Sequence, residues 1–156
     1  MPKIHPFLWF NTEAQQAAEF YVSVFPNSKI LSSRAKSAEA PGPDTDVLTV
    51  EFELDGQRVT ALNGGPHFSF TEAVSFVIDC QDQAEVDHYW DRLLDGGEAS
   101  QCGWLKDRFG FSWQVTPKQI FETVFGPDPE GRKRAMAAML QMQKLDVAQL
   151  QAAYAG

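Results

Sequence analysis

Residues 46–63, DVLTVEFELDGQRVTALN, contain the turn from which the fold can be worked out. Two strand-like runs, 46–54 and 57–63, flank the dipeptide Asp55-Gly56. An Asp-Gly pair between two such runs is a strong signal for a tight two-residue hairpin. This part of the chain is therefore predicted to form two antiparallel strands whose side chains alternate between the two faces of a sheet.

The residues before the hairpin add a strand, a helix and another strand. Residues 3–10, KIHPFLWF, are typical of a strand, and Thr12 with Gln15 is placed to begin a helix as a capping box. Apolar side chains then recur at helical spacing until Pro26 ends the helix: Ala14, Ala17, Ala18, Tyr21, Val22 and Phe25. A further strand-like run near 28–35 completes the order strand, helix and three strands.

The second half of the chain repeats this order. It has a strand at 73–79, a helix at 83–94, and strands near 98–108 and 111–116. Asp82 and Glu85 form the capping pair of the helix, and Gly96-Gly97 end it. The sequence therefore predicts an α+β fold of two βαβββ repeats.

The repeats also predict the domain organisation. They cover 3–64 and 72–117, and the residues from 118 to 156 form a helical tail with a helix near 130–142 and a cap at Asp146. We expect 1–156 to be a single domain. A loop rich in Pro, Gly and acidic residues at 38–44 makes the first repeat longer and is the expected position of a lid.

Composition excludes several classes of partner. The formal charge is −8, with 13 Lys and Arg against 21 Asp and Glu, so nucleic acid and anionic membrane surfaces should be repelled. No apolar stretch approaches the ~20 residues of a membrane span, and we expect a cytoplasmic protein. Cys80 and Cys102 lack the spacing of a zinc or redox motif and indicate two reduced thiols.

Several segments resemble one branch of a known superfamily. They are PFLWFN (6–11), FYVSVFPNSKI (20–30), ALNGGPHFSF (61–70), QCGWLKDRFGFSWQVTP (101–117) and AMLQMQKLDVAQL (138–150). They are similar to the PhnB-like branch, labelled 3-demethylubiquinone-9 3-methyltransferase, of the vicinal oxygen chelate superfamily. That superfamily includes glyoxalase I, extradiol dioxygenases and the fosfomycin and bleomycin resistance proteins. The resemblance implies that the two halves enclose a cup for a small molecule.

The resemblance also implies four positions for a divalent metal, on the first and fourth strands of each half. A shift of 68 residues matches the first strands and a shift of 54 matches the hairpins, which gives His5, Thr60, Ala73 and Gln114. Alanine cannot coordinate, and threonine is a poor ligand for the metals concerned. We therefore expect no tightly bound metal. A local bulge would give the alternative set His5, Glu72 and Gln114.

Side-chain alternation assigns the residues that face the cup. Ala73 and Val77 belong to that face, and the candidate ligand-binding residues on it are His5, Phe7, Trp9, Arg58, Thr60, Leu62, Ser75, Ser112 and Gln114. Trp104 is a further candidate at the rim, where its ring is expected to stack on a planar ligand. These residues combine apolar surface with a few hydrogen-bonding groups, as small-molecule pockets do. No catalytic residue is assigned, because Cys102 has no base beside it except Lys106.

Three functions are compatible with these observations. The first is a metal-free module that binds a small molecule, and the second is a metal-dependent lyase, isomerase or dioxygenase. The third is an interaction protein with a vestigial pocket. Methyl transfer from S-adenosylmethionine is not favoured, because Gly64-Gly65 is followed by Pro and a strand rather than by a helix.

A homodimer is the expected assembly. The resemblance implies it, and the tail carries more apolar residues than a complete pair of repeats needs to cover: Met136, Met139, Leu140, Leu145, Val147, Leu150 and Tyr154. A large exposed apolar patch normally marks a partner surface.

Overall fold

A computed structural model describes residues 2–156 of the chain. The chain divides after Phe70 into two compact units. Each unit contains one strand, one helix and three further strands in that order. The predicted α+β fold of two βαβββ repeats is therefore confirmed.

The first unit is a four-stranded mixed sheet with one helix. Its elements are β1 (Phe7–Phe10), α1 (Ala14–Val24), β2 (Lys29–Ala35), β3 (Val47–Leu54) and β4 (Gln57–Asn63). The strand order is β1-β4-β3-β2, with β1 parallel to β4 and the other neighbours antiparallel. The predicted hairpin is confirmed, since Leu54 pairs with Gln57 and both Asp55 and Gly56 have positive φ angles.

The predicted capping box of α1 is wrong. The residue before the helix is Glu13 rather than Thr12, and no local side chain caps it. Instead the Oδ1 atom of Asn63, at the end of β4, accepts a hydrogen bond from the Ala14 N–H at 2.8 Å. A cap that comes from 49 residues away leaves no local sequence signal.

The core of the first unit lies between α1 and one face of the sheet. The helix buries Ala14, Ala17, Ala18, Tyr21 and Val24. The sheet buries Leu8, Phe10, Val50, Phe52, Leu54, Val59 and Ala61 on the facing side. The alanines bring the helix close to the sheet, and Tyr21 and Phe52 fill the space between them. Because successive side chains of a strand point to opposite faces, every second residue of these strands lies on the other face of the sheet.

The second unit repeats this arrangement. Its elements are β5 (Ser75–Cys80), α2 (Gln83–Leu94), β6 (Glu98–Ala99), β7 (Trp104–Lys106) and β8 (Ser112–Pro117), in the order β5-β8-β7-β6. The predicted cap of α2 is confirmed, because Asp82 accepts a hydrogen bond from the Glu85 N–H. The predicted strand near 98–108 is interrupted at 100–103, where Cys102 and Gly103 have positive φ angles.

The tail follows β8 and packs within the second unit. It comprises a 3₁₀ turn (Lys118–Glu122), α3 (Pro129–Met139) and α4 (Val147–Ala155), and the predicted Asp146 cap is present. Its core contains Ile120, Val124, Ala135, Met142, Leu145 and Leu150. The side chain of Gln83 on α2 donates to the Leu145 carbonyl and accepts from the Val147 N–H. The tail is thereby attached to α2.

The apolar stripe of the tail is mostly interior rather than exposed. Leu145 and Leu150 are buried, and Met139 and Tyr154 pack against the same core. Of the seven residues expected on the surface, Met136 and Leu140 are exposed. The stripe serves the packing of α3 against α4, which a reading of one helix at a time does not anticipate. The homodimer and the single domain over 1–156 stay predictions.

Within residues 2–156, no helix combines the length and the apolar character that a membrane crossing requires.

Candidate functional site

In the part of the chain that the structure describes, one face of each sheet packs against the helix of its own unit. The opposite face is here called the helix-free face. The strand registers place the residues of this face in the first unit: Phe7, Trp9, Thr49, Glu51, Arg58, Thr60 and Leu62. In the second unit they are Ser75, Val77, Trp104, Lys106, Ser112 and Gln114. The candidate ligand-binding residues on strands thus lie on the helix-free face of their own unit. Their role in binding stays a prediction.

The helix-free face of the first unit has a polar centre. His5, just before β1, has its Nε2 atom 3.0 Å from the Thr60 Oγ1 atom. Beside Thr60 on the neighbouring strand, the Glu51 carboxylate pairs with the Arg58 guanidinium, with Nε and Oε1 2.8 Å apart. These polar groups are therefore already partnered with one another.

Trp9 in the same unit is largely held by a loop. Its indole Nε1–H donates to the Gly65 carbonyl at 2.9 Å, and the Phe68 ring meets it edge-on. A Cβ atom at Gly64 would overlap the Trp9 ring, so the backbone at that position approaches the indole directly. The Trp9 side chain thus has a structural contact that its position on the strand did not reveal, whereas Phe7 is exposed.

The second unit shows which of its residues corresponds to His5. Thr60 pairs with Phe7, two residues after His5, and Gln114 pairs with Val77, two residues after Ser75. The Gln114 Nε2 atom donates to the Ser75 Oγ atom at 2.9 Å, in the place of the contact between His5 and Thr60. Ser75 therefore occupies the corresponding position, and the assignment of Ala73 was wrong. Ala73 lies in the turn before β5.

The residues at the four positions do not fit a tightly bound divalent metal. They offer one imidazole, two hydroxyl groups and one amide, and each is hydrogen-bonded within its own unit. Metals of the expected kinds require more imidazole or carboxylate ligands. Among residues 2–156, no group of three or more His, Cys, Asp and Glu side chains is arranged to hold a metal ion.

The alternative metal set with Glu72 requires a local bulge in the second half of the chain. Strands β5 and β8 pair in continuous register from Ser75 to Cys80. Glu72 lies in the turn before β5, where its carboxylate is 2.5 Å from the Lys106 Nζ atom. The hydrogen bond to Lys106 lowers the pKa of Glu72, so the carboxylate is ionised and already paired.

The second unit contains a cavity of about 110 Å³ on its helix-free face. It is lined by Glu72, Glu98, Ala99, Ser100, Trp104, Leu105, Lys106 and Ser112. Ser112 is 1% exposed, and its Oγ atom has no hydrogen-bond partner within the described residues 2–156. A buried hydroxyl without a partner costs about 1–3 kcal/mol. Because it lines a cavity, this hydroxyl is a group that a ligand would satisfy.

The charged groups of the cavity are organised around Lys106. Lys106 pairs in register with Ser112 on one side and with Glu98 on the other. The Glu72 carboxylate raises the pKa of Lys106 by hydrogen bonding and charge, and Glu98 adds to the effect. Alternation along β7 from Trp104 could have predicted that Lys106 shares this face. The position of Glu98 depends on the interruption at 100–103 and had no such signal.

The two cysteines do not form a reactive centre. Cys80 is fully buried, and burial raises its pKa to about 12, so its thiol is protonated at neutral pH. The Cys102 thiol donates to the Met139 carbonyl at 3.6 Å. Lys106, the candidate base for Cys102, is instead paired with Glu72.

Comparison with known families identifies the chain. The 3-demethylubiquinone-9 3-methyltransferase family matches residues 2–116. The chain belongs to this family. The match ends at 116, so the 3₁₀ turn and helices α3 and α4 lie beyond it. No curated protein matches the chain.

Solved structures agree with this placement. The PhnB protein of Bacillus cereus is 31% identical, with a TM-score of 0.68, and the match covers 74% of this chain and 99% of that one. A protein of Pseudomonas aeruginosa is 18% identical, with a TM-score of 0.64 and coverage of 75% and 98%.

A more distant structure extends the fold comparison. The fosfomycin resistance protein FosX of Listeria monocytogenes, in complex with Mn(II) and sulfate, is 17% identical, with a TM-score of 0.55 and coverage of 80% and 98%. At this identity the likeness concerns the fold. The family match and the 31% identity to the PhnB protein make the chain a PhnB-like member of the vicinal oxygen chelate superfamily.

Proposed function

We propose that this chain binds a small molecule on its helix-free faces without a tightly bound metal. The observation that carries the proposal is the cavity of the second unit, with a buried Ser112 hydroxyl that has no partner within residues 2–156. Small-molecule sites combine apolar walls with a few such groups, which fix the orientation of the ligand. We further propose that the protein works in the cytoplasm and has neither nucleic acid nor membrane as a partner, in keeping with its charge of −8.

The donor set supports the metal-free part of the proposal. The contact between His5 and Thr60 and the bond between Gln114 and Ser75 use the side chains that a metal would require. Metal binding would break these two hydrogen bonds, and the His5 imidazole would be the one strong ligand that the metal obtains. Hydroxyl and amide oxygens compensate poorly for the missing carboxylates.

The family description does not fit the loops where a methyl donor would bind. Nucleotide-like cofactors use a Gly-rich turn between a strand and a helix N-terminus. Here the connections from β1 to α1 and from β5 to α2 contain no glycine: they are Asn11-Thr12-Glu13 and Gln81-Asp82. Gly64-Gly65 follows β4 and contacts Trp9 instead. We therefore propose binding rather than methyl transfer.

Two measurements test this function. Elemental analysis of protein purified without chelator or nickel affinity resin should find metal far below one equivalent. Stoichiometric metal held by three protein ligands would favour a lyase, isomerase or dioxygenase. Thermal-shift screening should then find a small ligand, since a compound at 100 times its Kd adds about 2.7 kcal/mol of stability. No shift across a broad set of compounds would favour an interaction protein.

We also propose a homodimer. Phe121, Phe125 and Leu140 are exposed on the tail, and such side chains are usual at a self-association surface. The expected mass in light scattering is twice 17.4 kDa, or 34.8 kDa. Leu140→Glu should reduce it, whereas Lys133→Glu on α3 should leave it unchanged. A monomer at micromolar concentration would refute the dimer.

A further inference from the structure

The Ser112 hydroxyl and the Lys106 ammonium are neighbouring donors at the cavity of the second unit. Their residues are register partners on β8 and β7, and both line the cavity. Cross-strand partners on one face bring their Cβ atoms within roughly 4.5–5.5 Å. The Ser112 O–H has no partner in residues 2–156, and an ammonium has three N–H donors, of which Glu72 uses one. Both groups can therefore donate to one oxygen atom of a ligand.

The charges around this pair disfavour an anionic ligand. Lys106 contributes one positive charge, and Glu72 and Glu98 contribute two negative charges to the cavity wall. A carboxylate would enter a region that is already net negative and would compete with Glu72 for Lys106. A cation bound at the Ser112 hydroxyl would be repelled by the neighbouring ammonium of Lys106. The remaining choice is a neutral group with an acceptor oxygen.

The size and walls of the cavity limit the shape of that group. A volume of about 110 Å³ leaves room for a small group of several non-hydrogen atoms. The indole of Trp104 offers a flat wall on which a planar group can stack. A planar group that stacks on this wall and carries one acceptor oxygen is a carbonyl group with its substituents.

We propose that this cavity binds the neutral carbonyl end of the ligand, an amide or a ketone, through Ser112 and Lys106. The carbonyl oxygen accepts from the Ser112 O–H and from Lys106, and its plane stacks on Trp104. The inference rests on the proposed binding function and names the class of ligand. It requires no chemical step.

Access to the hydroxyl requires one side chain to move. The Ser112 Oγ atom is covered, whereas the side chains of Lys106 and Glu72 are 38% and 59% exposed. An ion pair this exposed contributes little to stability. Lys106 can therefore shift towards solvent when a carbonyl group enters, and keep one N–H on its oxygen.

Three planar probes of the same shape test the charge argument: acetamide, acetate and acetamidinium. Each is titrated into ¹⁵N-labelled full-length protein at constant ionic strength, and the shifts of the Ser112 amide and the Trp104 indole are followed. Acetamide should move both resonances and saturate at the lowest concentration. Ser112→Ala should weaken its binding about fivefold, the loss of one hydrogen bond. Ser33→Ala, an exposed serine on β2, should have no effect.

A charge variant and the possible negative results test the cause of this preference. Glu98→Gln removes one negative charge and should raise the affinity for acetate relative to acetamide about twofold, as expected for a screened surface charge. Tighter binding of acetate or acetamidinium to the wild type at these resonances would overturn the carbonyl assignment and leave the binding function standing. If none of the three probes moves the two resonances, the assignment is also overturned. A negative thermal-shift screen of larger compounds would overturn the binding function itself.

Discussion

The replacement Ser112→Ala should make the protein more stable, although it changes a buried residue of a central strand. In most cores the loss of a polar side chain removes a hydrogen bond, but the Ser112 Oγ atom has no partner within residues 2–156. The energetic cost of burying an unpartnered hydroxyl is about 1–3 kcal/mol. The variant removes this cost.

The opposing effect is small. Removal of one oxygen atom leaves a space of roughly 10 Å³, and at about 24 cal/mol per Å³ of cavity this destabilises by about 0.2 kcal/mol. A net stabilisation of about 1 kcal/mol is therefore expected. For a chain of 156 residues it corresponds to a rise in Tm of about 2–4 °C.

Ser75 provides the matched control. It is the register partner of Ser112 on β5, and its Oγ atom accepts the hydrogen bond from the Gln114 amide. Ser75→Ala should therefore destabilise by about 1 kcal/mol. Urea unfolding followed by tryptophan fluorescence measures both variants. If Ser112→Ala destabilises as much as Ser75→Ala, the hydroxyl is satisfied and the reasoning about the cavity fails.

Two substitutions and one chemical modification test other buried groups of the two units. Asp107→Ala should destabilise by about 4 kcal/mol in urea unfolding, because the buried carboxylate accepts from the Phe111 N–H and the Trp113 indole; a loss below 1 kcal/mol would contradict this. Asn63→Ala should cost about 2 kcal/mol and lower the helical circular dichroism signal, since it removes the cap of α1 and the bond to Val47; an unchanged unfolding midpoint would refute it. Iodoacetamide at pH 8 should alkylate Cys102 and spare Cys80, whose pKa is raised to about 12, until urea unfolds the chain; equal rates by mass spectrometry in the native protein would show that Cys80 is accessible.

The fold could be predicted because its main signals are local. The Asp55-Gly56 turn, the alternation of the strands and the Asp82 cap are all properties of neighbouring residues, and all are present in the structure. The cap of α1 could not be predicted, because Asn63 reaches Ala14 from the end of another strand. The interior position of the tail stripe also depends on the packing of α3 against α4.

The sequence was sufficient to predict which face of each sheet carries the candidate residues, but not which residues are register partners. Alternation is sufficient to choose a face, since a shift of two residues keeps every side chain on the same side. That is why Ser75 was placed on the same face as Ala73, although the residue that corresponds to His5 was misassigned by two positions. Whether a hydroxyl has a partner depends on the exact positions of neighbouring side chains. The unpartnered Ser112 is therefore visible only in three dimensions.

The tail supports one wall of the cavity, because it holds the loop at 100–103 that leads into β7. The N–H groups of Cys102 and Gly103 donate to the carbonyls of Met142 and Gln143, and both residues have positive φ angles. A Cβ atom at Gly103 would lie 3.0 Å from Leu145, so the tail packs directly on this loop. Trp104 follows at once and stands on the helix-free face. The residues beyond the family match thus fix the start of β7, and with it the indole against which a planar ligand would stack.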